Sequence, residues 1–504
     1  MAHERTLSIV KPDGVGRNLI GDVLGRPAAR QLETAPAAAG IALRSDLDLL
    51  AQAWPERPAL PTAPVIEHRP PHATEPRTER LARVREAMRS QGATHHFIST
   101  VDDIAWLFNL RGSDVAFNPV FLAHALVDAR GAILFVGAGK VGEALRNTLA
   151  RDGVSLAPYD EAPAALAALS DAAVLLIDPK RLTLGLRRRV PPGVRVVEAI
   201  NPSTLFKSRK SALEAAHIRE AMAEDGAAMC EFYAWFEQAL GRERITELTV
   251  DERLTAARAR RAGFVGPSFA TIAGFNANGA MPHYRATAES HAVIEGNGLL
   301  LIDSGGQYLG GTTDITRVWP IGEPKAEQRR DYTLVLKSTM ALSRTRFPRG
   351  TLAPMLDAIA RAPLWQHGLD YGHGTGHGVG YFLNVHEGPQ SISKALPEPH
   401  MAMEPGMVTS IEPGLYRPGR WGVRIENLVL NVPCETPEAG AFGDFLAFET
   451  LTLCPIDTRC IERTLLQGDE VQWLNAYHEA VHERLSPRVD GAARAWLAER
   501  TRPL

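Results

Sequence analysis

The sequence predicts an α/β domain over about residues 79–207, then an α+β domain over about 208–435 and a C-terminal extension over 436–504. Three observations carry this reading. Strand-like and helical patterns alternate between Glu79 and Lys210, as in a sheet covered by helices. Two long helical stretches follow, from Lys210 to Leu240 and from Thr249 to Ala262. Beyond them, strand runs broken by Gly, Pro and Asn turns surround one helix, without the strict alternation of an α/β fold.

Taken in order, residues 1–26 form a segment apart. Thr6 to Val10 reads as a strand, Lys11-Pro12-Asp13-Gly14 as a turn and Asn18 to Leu24 as a short helix. Residues 27–78 are rich in Ala and Pro, with Pro55, Pro58, Pro61, Pro64, Pro70 and Pro71 close together. Proline cannot donate a backbone hydrogen bond, so this stretch is expected to be extended, poorly packed and loosely attached. A helix starts near Glu79, with Leu81, Val84 and Met88 on one face. Strands are predicted from Ala132 to Val136, Ala173 to Ile177 and Arg195 to Ala199, and a helix from Val141 to Arg151. In the second domain a helix is expected near Ala326 to Phe347, and the tail from Glu462 reads as helical.

Composition narrows the function. A chain of 504 residues exceeds one compact core, and 45% apolar with 22% charged residues is ordinary for a globular protein. Net charge is only −3 and no basic block stands out, which argues against nucleic acid or a polybasic membrane patch. Four cysteines without CxxC pairing fit a reducing compartment, and no apolar run approaches the ~18 residues of a membrane span. A cytoplasmic protein is expected.

Four pieces carry chemistry. The run Leu299-Leu300-Leu301-Ile302-Asp303 ends in a carboxylate, Ser304-Gly305-Gly306 supplies a turn, and Thr312-Thr313-Asp314-Ile315-Thr316 is a second strand. Strands joined this way can set Asp303 beside Asp314, a repulsion that a cation relieves; both could equally be turn residues capping N–H groups. In Tyr371-Gly372-His373-Gly374-Thr375-Gly376-His377-Gly378-Val379-Gly380, five glycines disfavour a helix and let the backbone approach something closely. His373 and His377 are four apart but lack the helix and glutamate of HExxH, so each is either a ligand or a structural histidine. Glu412 in Ser410-Ile411-Glu412-Pro413-Gly414 and Glu426 in Val423-Arg424-Ile425-Glu426-Asn427 each end a β-like run. Arg424 and Glu426 could also form a same-face ion pair. Together, two Asp, one His and two Glu make a hard, oxygen-rich set suited to two divalent ions, which identifies a metallohydrolase as the leading reading.

Segments 301–306, 312–317, 372–380, 410–414 and 423–426 resemble the motifs of the pita-bread metallopeptidases, and among these the cytosolic three-domain form of aminopeptidase P (Xaa-Pro aminopeptidase). Segments 103–112 and 118–121 are similar to that form's creatinase-like middle domain, Asn201-Pro202 and Lys207 to its link, and 448–452 and 455–457 to its extension. The resemblance implies that Asp303 chelates one ion, His377 and Glu412 the other, and that Asp314 and Glu426 bridge them. It implies a bridging hydroxide as nucleophile, with Glu412 as proton shuttle. His283 and His386 match histidines near the scissile bond, His373 a position lining the proline-side pocket, and Arg424 one beside the ligand Glu426. The implied cofactor is manganese, with cobalt or zinc admitted by the same ligands. The implied substrates are peptides with proline second, and the implied assembly is a homodimer. A prolidase-like dipeptidase shares all five ligands, and a non-catalytic peptide-binding scaffold is the alternative outside enzymes.

Two features depart from that pattern. About Gly40–Ala73 looks like the end of the family's first domain, and the chain ahead of it, Glu4 to Val15, resembles the start of nucleoside diphosphate kinase. No Asn-x-x-His-Gly-Ser motif accompanies it, so kinase activity is not expected. Gly137-Ala138-Gly139-Lys140-Val141-Gly142 is a literal GxGxxG, with Asp160 further on where a ribose-binding acid would fall, but it reads as turn chemistry.

Overall fold

A computed structural model describes residues 53–56, 58–438 and 440–504. The kinase-like segment and most of the Ala/Pro-rich stretch therefore lie outside the described residues. The chain divides into two compact units that meet between Phe206 and Lys207.

The first unit is built on a six-stranded sheet in the order 154–158, 132–136, 123–128, 95–98, 174–177, 195–198. The two central pairings, 95–98 with 123–128 and 123–128 with 132–136, are antiparallel; the outer ones are parallel. Phe97, Phe135, Leu166, Leu175 and Ile177 pack in its core. The helix expected from Val141 begins at Glu143, because Gly142 is extended and serves as N-cap. The GxGxxG turn ahead of it is tied to neighbouring chain: Lys140 Nζ donates to Asp114 Oδ1 at 2.5 Å and to the Pro61 carbonyl at 3.2 Å. The proline-rich stretch departs from expectation at its end. Val65 is buried and its N–H donates to the Lys140 carbonyl, while Ile66–Glu67 pairs with Leu110–Arg111. Hydrogen bonds at Val65 and His68, placed between the prolines, are enough to dock it.

In the second unit, helix Ala212–Ala239 starts at a capping box between Ser211 and Glu214 and packs with helix Glu247–Ala259 in the main core. Against them lies the antiparallel sheet Ile272–Phe275, Gly298–Ser304, Ile315–Ile321, whose last two strands are buried at every residue. The apolar run 299–302 is thus a strand covered on both faces. A four-stranded antiparallel sheet joins Arg346–Pro348, Phe445–Thr450, Asn427–Cys434 and Val408–Ile411. The helix predicted to reach Phe347 ends at Ser343 instead. Pro348 disfavours helical geometry at the residue before it, and Arg346–Pro348 pairs as an edge strand. After Glu462 the tail takes one short 3-10 turn, Arg463–Leu465, before helix Gly468–Leu485, and a second, Ser486–Arg488, before helix Gly491–Arg500. All four cysteines are free, and among the described residues no helix is long and apolar enough to cross a membrane.

Candidate metal centre

Strand alternation and pairing assemble the acids. Asp303 lies directly opposite Thr316 in the ladder between Gly298–Ser304 and Ile315–Ile321. Asp314 is two residues before Thr316 and so shares its face. Between the two strands the chain leaves the sheet as a small hairpin, Gly306–Tyr308 with Gly311–Thr312. Glu426 arrives from another direction: its N–H donates to the Thr316 carbonyl at 3.1 Å, and its Oε2 accepts from Thr316 Oγ1 at 2.7 Å. Thr316 therefore ties the second acidic strand to the first, a role the sequence did not signal.

His377 comes from the glycine-rich segment. A Cβ on Gly376 would collide with the Ser410 carbonyl, so glycine there is what lets this loop lie against strand Val408–Ile411. His377 N donates to Ser410 Oγ at 2.9 Å, Ser410 Oγ donates to Glu412 Oε1 at 3.0 Å, and Glu412 N donates to the Thr375 carbonyl. The His377 ring bonds the Gly378 carbonyl through Nδ1 at 2.9 Å, which leaves Nε2 facing the acids. That Nε2 lies 3.5 Å from Asp314 Oδ2 and 3.3 Å from Glu412 Oε1. Ligand atoms of Asp314, His377 and Glu426 all fall within 4.8 Å of one another.

The charge balance is unresolved by protein alone. Burial and the neighbouring acids push the carboxyls of Asp314 and Glu426 well above the usual range, and Glu412 is raised by burial. Asp303 Oδ1 and Glu426 Oε1 are buried without a hydrogen-bond partner among the described residues. Stacked acids with bare oxygens and an imidazole lone pair aimed at them are what a pair of divalent ions would satisfy, so the residues fit such a group.

The remaining predicted residues surround this cluster. Arg424 does not pair with Glu426; its Nη2 donates to Asp303 Oδ2 at 2.6 Å and Nη1 to Tyr416 Oη at 2.6 Å. Tyr416 Oη is in turn 2.8 Å from His373 Nε2, and burial lowers His373 to about 4. His386 meets His377 ring to ring at 4.2 Å in a T-shaped contact. The neighbouring His377 ring and then burial lower His386 to about 3. His283 is exposed, in the segment between Phe275 and Gly298. Beneath the histidine loops lie further buried charges. Arg361 donates to the Tyr371 and His373 carbonyls and to Asp357, which accepts from Thr375 Oγ1. Glu387 is held by Lys207 and Lys210 at 3.0 and 3.1 Å. Apart from the Arg361–Asp357 pair on one helix, these anchors join residues distant in sequence and leave no short spacing to read.

Comparison with known proteins matches these parts. The profile of metallopeptidase family M24 covers residues 216–432, that of the creatinase/prolidase N-terminal domain 56–214, and that of the C-terminal region of the M24 peptidases 444–504. A probable Xaa-Pro aminopeptidase P of Coprinopsis cinerea is 38% identical over 89% of this chain and 75% of its own length. Aminopeptidase P2 of Arabidopsis thaliana is 37% identical over 91% and 69%. The crystal structure of an X-prolyl aminopeptidase from Caenorhabditis elegans, described as a cytosolic enzyme with a di-nuclear active site, superposes with a TM-score of 0.90 at 29% identity. It covers 100% of this chain and 84% of that one. An Xaa-Pro dipeptidase from Bacillus anthracis (TM-score 0.59, 22% identity, 76% and 99% covered) shares the fold. With such identity sustained along nearly the whole chain, and the M24 family model covering 216–432, this protein belongs to the aminopeptidase P family of the M24 metallopeptidases.

Proposed function

We propose that this chain is an aminopeptidase that removes an N-terminal residue preceding proline, with two divalent ions at the cluster described above. The observation that carries the reading is the convergence of Asp314, His377 and Glu426 within 4.8 Å, with oxygens of Asp303 and Glu426 buried and bare. In the proposed arrangement Asp303 would hold one ion, His377 and Glu412 would hold the other, and Asp314 and Glu426 would serve both. Manganese is the proposed metal, since carboxylate-rich sites favour harder ions. Bound there, the ions supply an activated water and Lewis-acid stabilisation of developing negative charge.

The chain's own residues do the rest. Glu412, steadied by Ser410 Oγ, takes the proton of the attacking water and delivers it to the departing proline nitrogen. His283 and His386 orient the scissile carbonyl and hydrogen-bond the tetrahedral oxygen. His373, fixed between the Gly374 carbonyl and Tyr416 Oη, lines the proline side. Arg424 holds Asp303 in its ligating orientation. A cytosolic location and a homodimer complete the proposal.

The test is turnover of an Xaa-Pro-Xaa tripeptide and an Xaa-Pro dipeptide by manganese-loaded protein, beside Asp303→Ala. Release of the first residue from the tripeptide by the parent protein alone is expected. Cleavage of the dipeptide only would make it a dipeptidase, and no turnover with two ions bound would remove the peptidase reading.

A further inference from the structure

Glu247 stands outside every motif read from the sequence. It is the first residue of helix Glu247–Ala259, only 1% exposed, and its carboxylate is fully engaged. Oε1 accepts from the Phe275 N–H at 2.7 Å, and Oε2 from the Ala292 N–H and the Tyr284 hydroxyl, both at 2.7 Å. Asn278 Nδ2 donates to both oxygens at 3.0 and 3.1 Å. These donors bracket one segment. Phe275 ends strand Ile272–Phe275, Ala292 lies shortly before strand Gly298–Ser304, and Tyr284 immediately follows His283.

One carboxylate thus ties both ends and the middle of the excursion that presents His283. The Glu247 N–H also donates to the Ala292 carbonyl, and the Ile294 N–H to that of Ile245, so the far end is strapped to the helix start by backbone as well. Against this framework His283 itself is exposed, free to meet a ligand from a fixed base. The chemistry asks for a carboxylate: an ionised Glu is acceptor-only and has lone pairs for all four donor groups. A glutamine would turn an NH2 towards two of them.

We infer that Glu247 is a positioning residue for His283, setting that imidazole over the scissile bond through Tyr284. The inference rests on the role given to His283 above. A histidine that hydrogen-bonds the transition state loses its effect when displaced by about an ångström. Loosening the anchor therefore lowers kcat and kcat/KM together, with KM little changed.

The experiment is a double-mutant cycle on the metal-loaded protein, with Glu247→Gln and, as the gentler variant, Tyr284→Phe, each alone and combined with His283→Ala. Kinetics, bound metal and melting temperature are measured for each. Glu247→Gln is expected to cost roughly 10–100-fold in kcat and Tyr284→Phe about 3–10-fold, with two ions retained. Both losses should vanish in the His283→Ala background. Equal losses with and without His283, or loss of bound metal, would overturn the positioning role while leaving the aminopeptidase reading intact. Should Glu247→Gln fail to fold, the Tyr284→Phe cycle decides alone. Full turnover by His283→Ala would instead strike down the role given to His283, and with it this inference.

Discussion

The strand Ile315–Ile321 and the residue before it carry two opposite solutions to buried charge, on opposite faces. Arg317 is 1% exposed, yet its donors reach six oxygens: the carbonyls of Thr316, Glu426, Cys454 and Pro455, Asn427 Oδ1 and Tyr477 Oη, all at 2.6–3.2 Å. Asp314, three residues earlier, is as deeply buried, but faces Asp303 and Glu412, and the nearby Glu426 has a bare oxygen. The first charge is completed by the protein and belongs to the fold. The second is left incomplete and asks for something from outside. Burial alone therefore does not distinguish structure from function; whether the chain itself satisfies the charge does.

If that distinction is sound, the two faces should respond to perturbation with opposite sign. Arg317→Met strands buried acceptors from four segments and should cost about 3–5 kcal/mol, with no recovery on adding metal. Urea unfolding and soluble yield measure this, and a near-neutral result would erase the contrast. The same neighbourhood predicts an acid limb. His478 accepts from the Ile456 N–H at 3.1 Å, and burial, then the charge of Arg317, lowers its pKa to about 4. Its folded pKa lies below the unfolded value near 6.5, so its contribution is complete above that value. It is lost as pH falls towards 4, by up to about 3 kcal/mol. His478→Gln should flatten the pH dependence of unfolding across that interval; an unchanged slope would mean the imidazole is not held neutral.

On the other face, chelation should lower the melting temperature of the parent protein, since ions that bind only the folded state contribute about 2.7 kcal/mol at a hundredfold excess over Kd. Asp314→Asn removes one repelling charge. It should raise the stability of the metal-free protein by about 1–2 kcal/mol while abolishing the response to metal and the turnover. Melting with and without chelator separates the two effects. A destabilised metal-free Asp314→Asn would show that the acids are reconciled within the protein after all.

The same contrast explains what the sequence disclosed. Asp303, Asp314, His377, Glu412 and Glu426 sit at strand ends or in a glycine loop, where short spacing records them, and strands 132–136 and 298–304 follow directly from their apolar runs. Arg317 sits inside a recognised motif, but nothing local shows that its partners come from residues near 426, 454 and 477. Glu247, Arg361 and Lys210 were silent for the same reason: a buried charge is defined by who surrounds it, which only the tertiary fold supplies. Helix ends depart from the apolar pattern where local chemistry intervenes, at Gly142 and before Pro348.

Ser410 gives the finest test, because it stands where the two modes meet. Its hydroxyl accepts from the His377 N–H and donates to Glu412 Oε1, so the protein itself satisfies one oxygen of an acid in the cluster. It restrains both residues proposed to hold the second ion without touching Asp303. Ser410→Ala should therefore weaken the second ion by about tenfold, near 1.4 kcal/mol, and leave the first almost unchanged. The parent protein should load two ions with similar ease, and the variant should load them in two separable steps by calorimetric titration, with turnover following the second. Equal weakening of both ions would mean that the acids behave as one shared pool of charge, and that His377 and Glu412 do not define a site apart from Asp303.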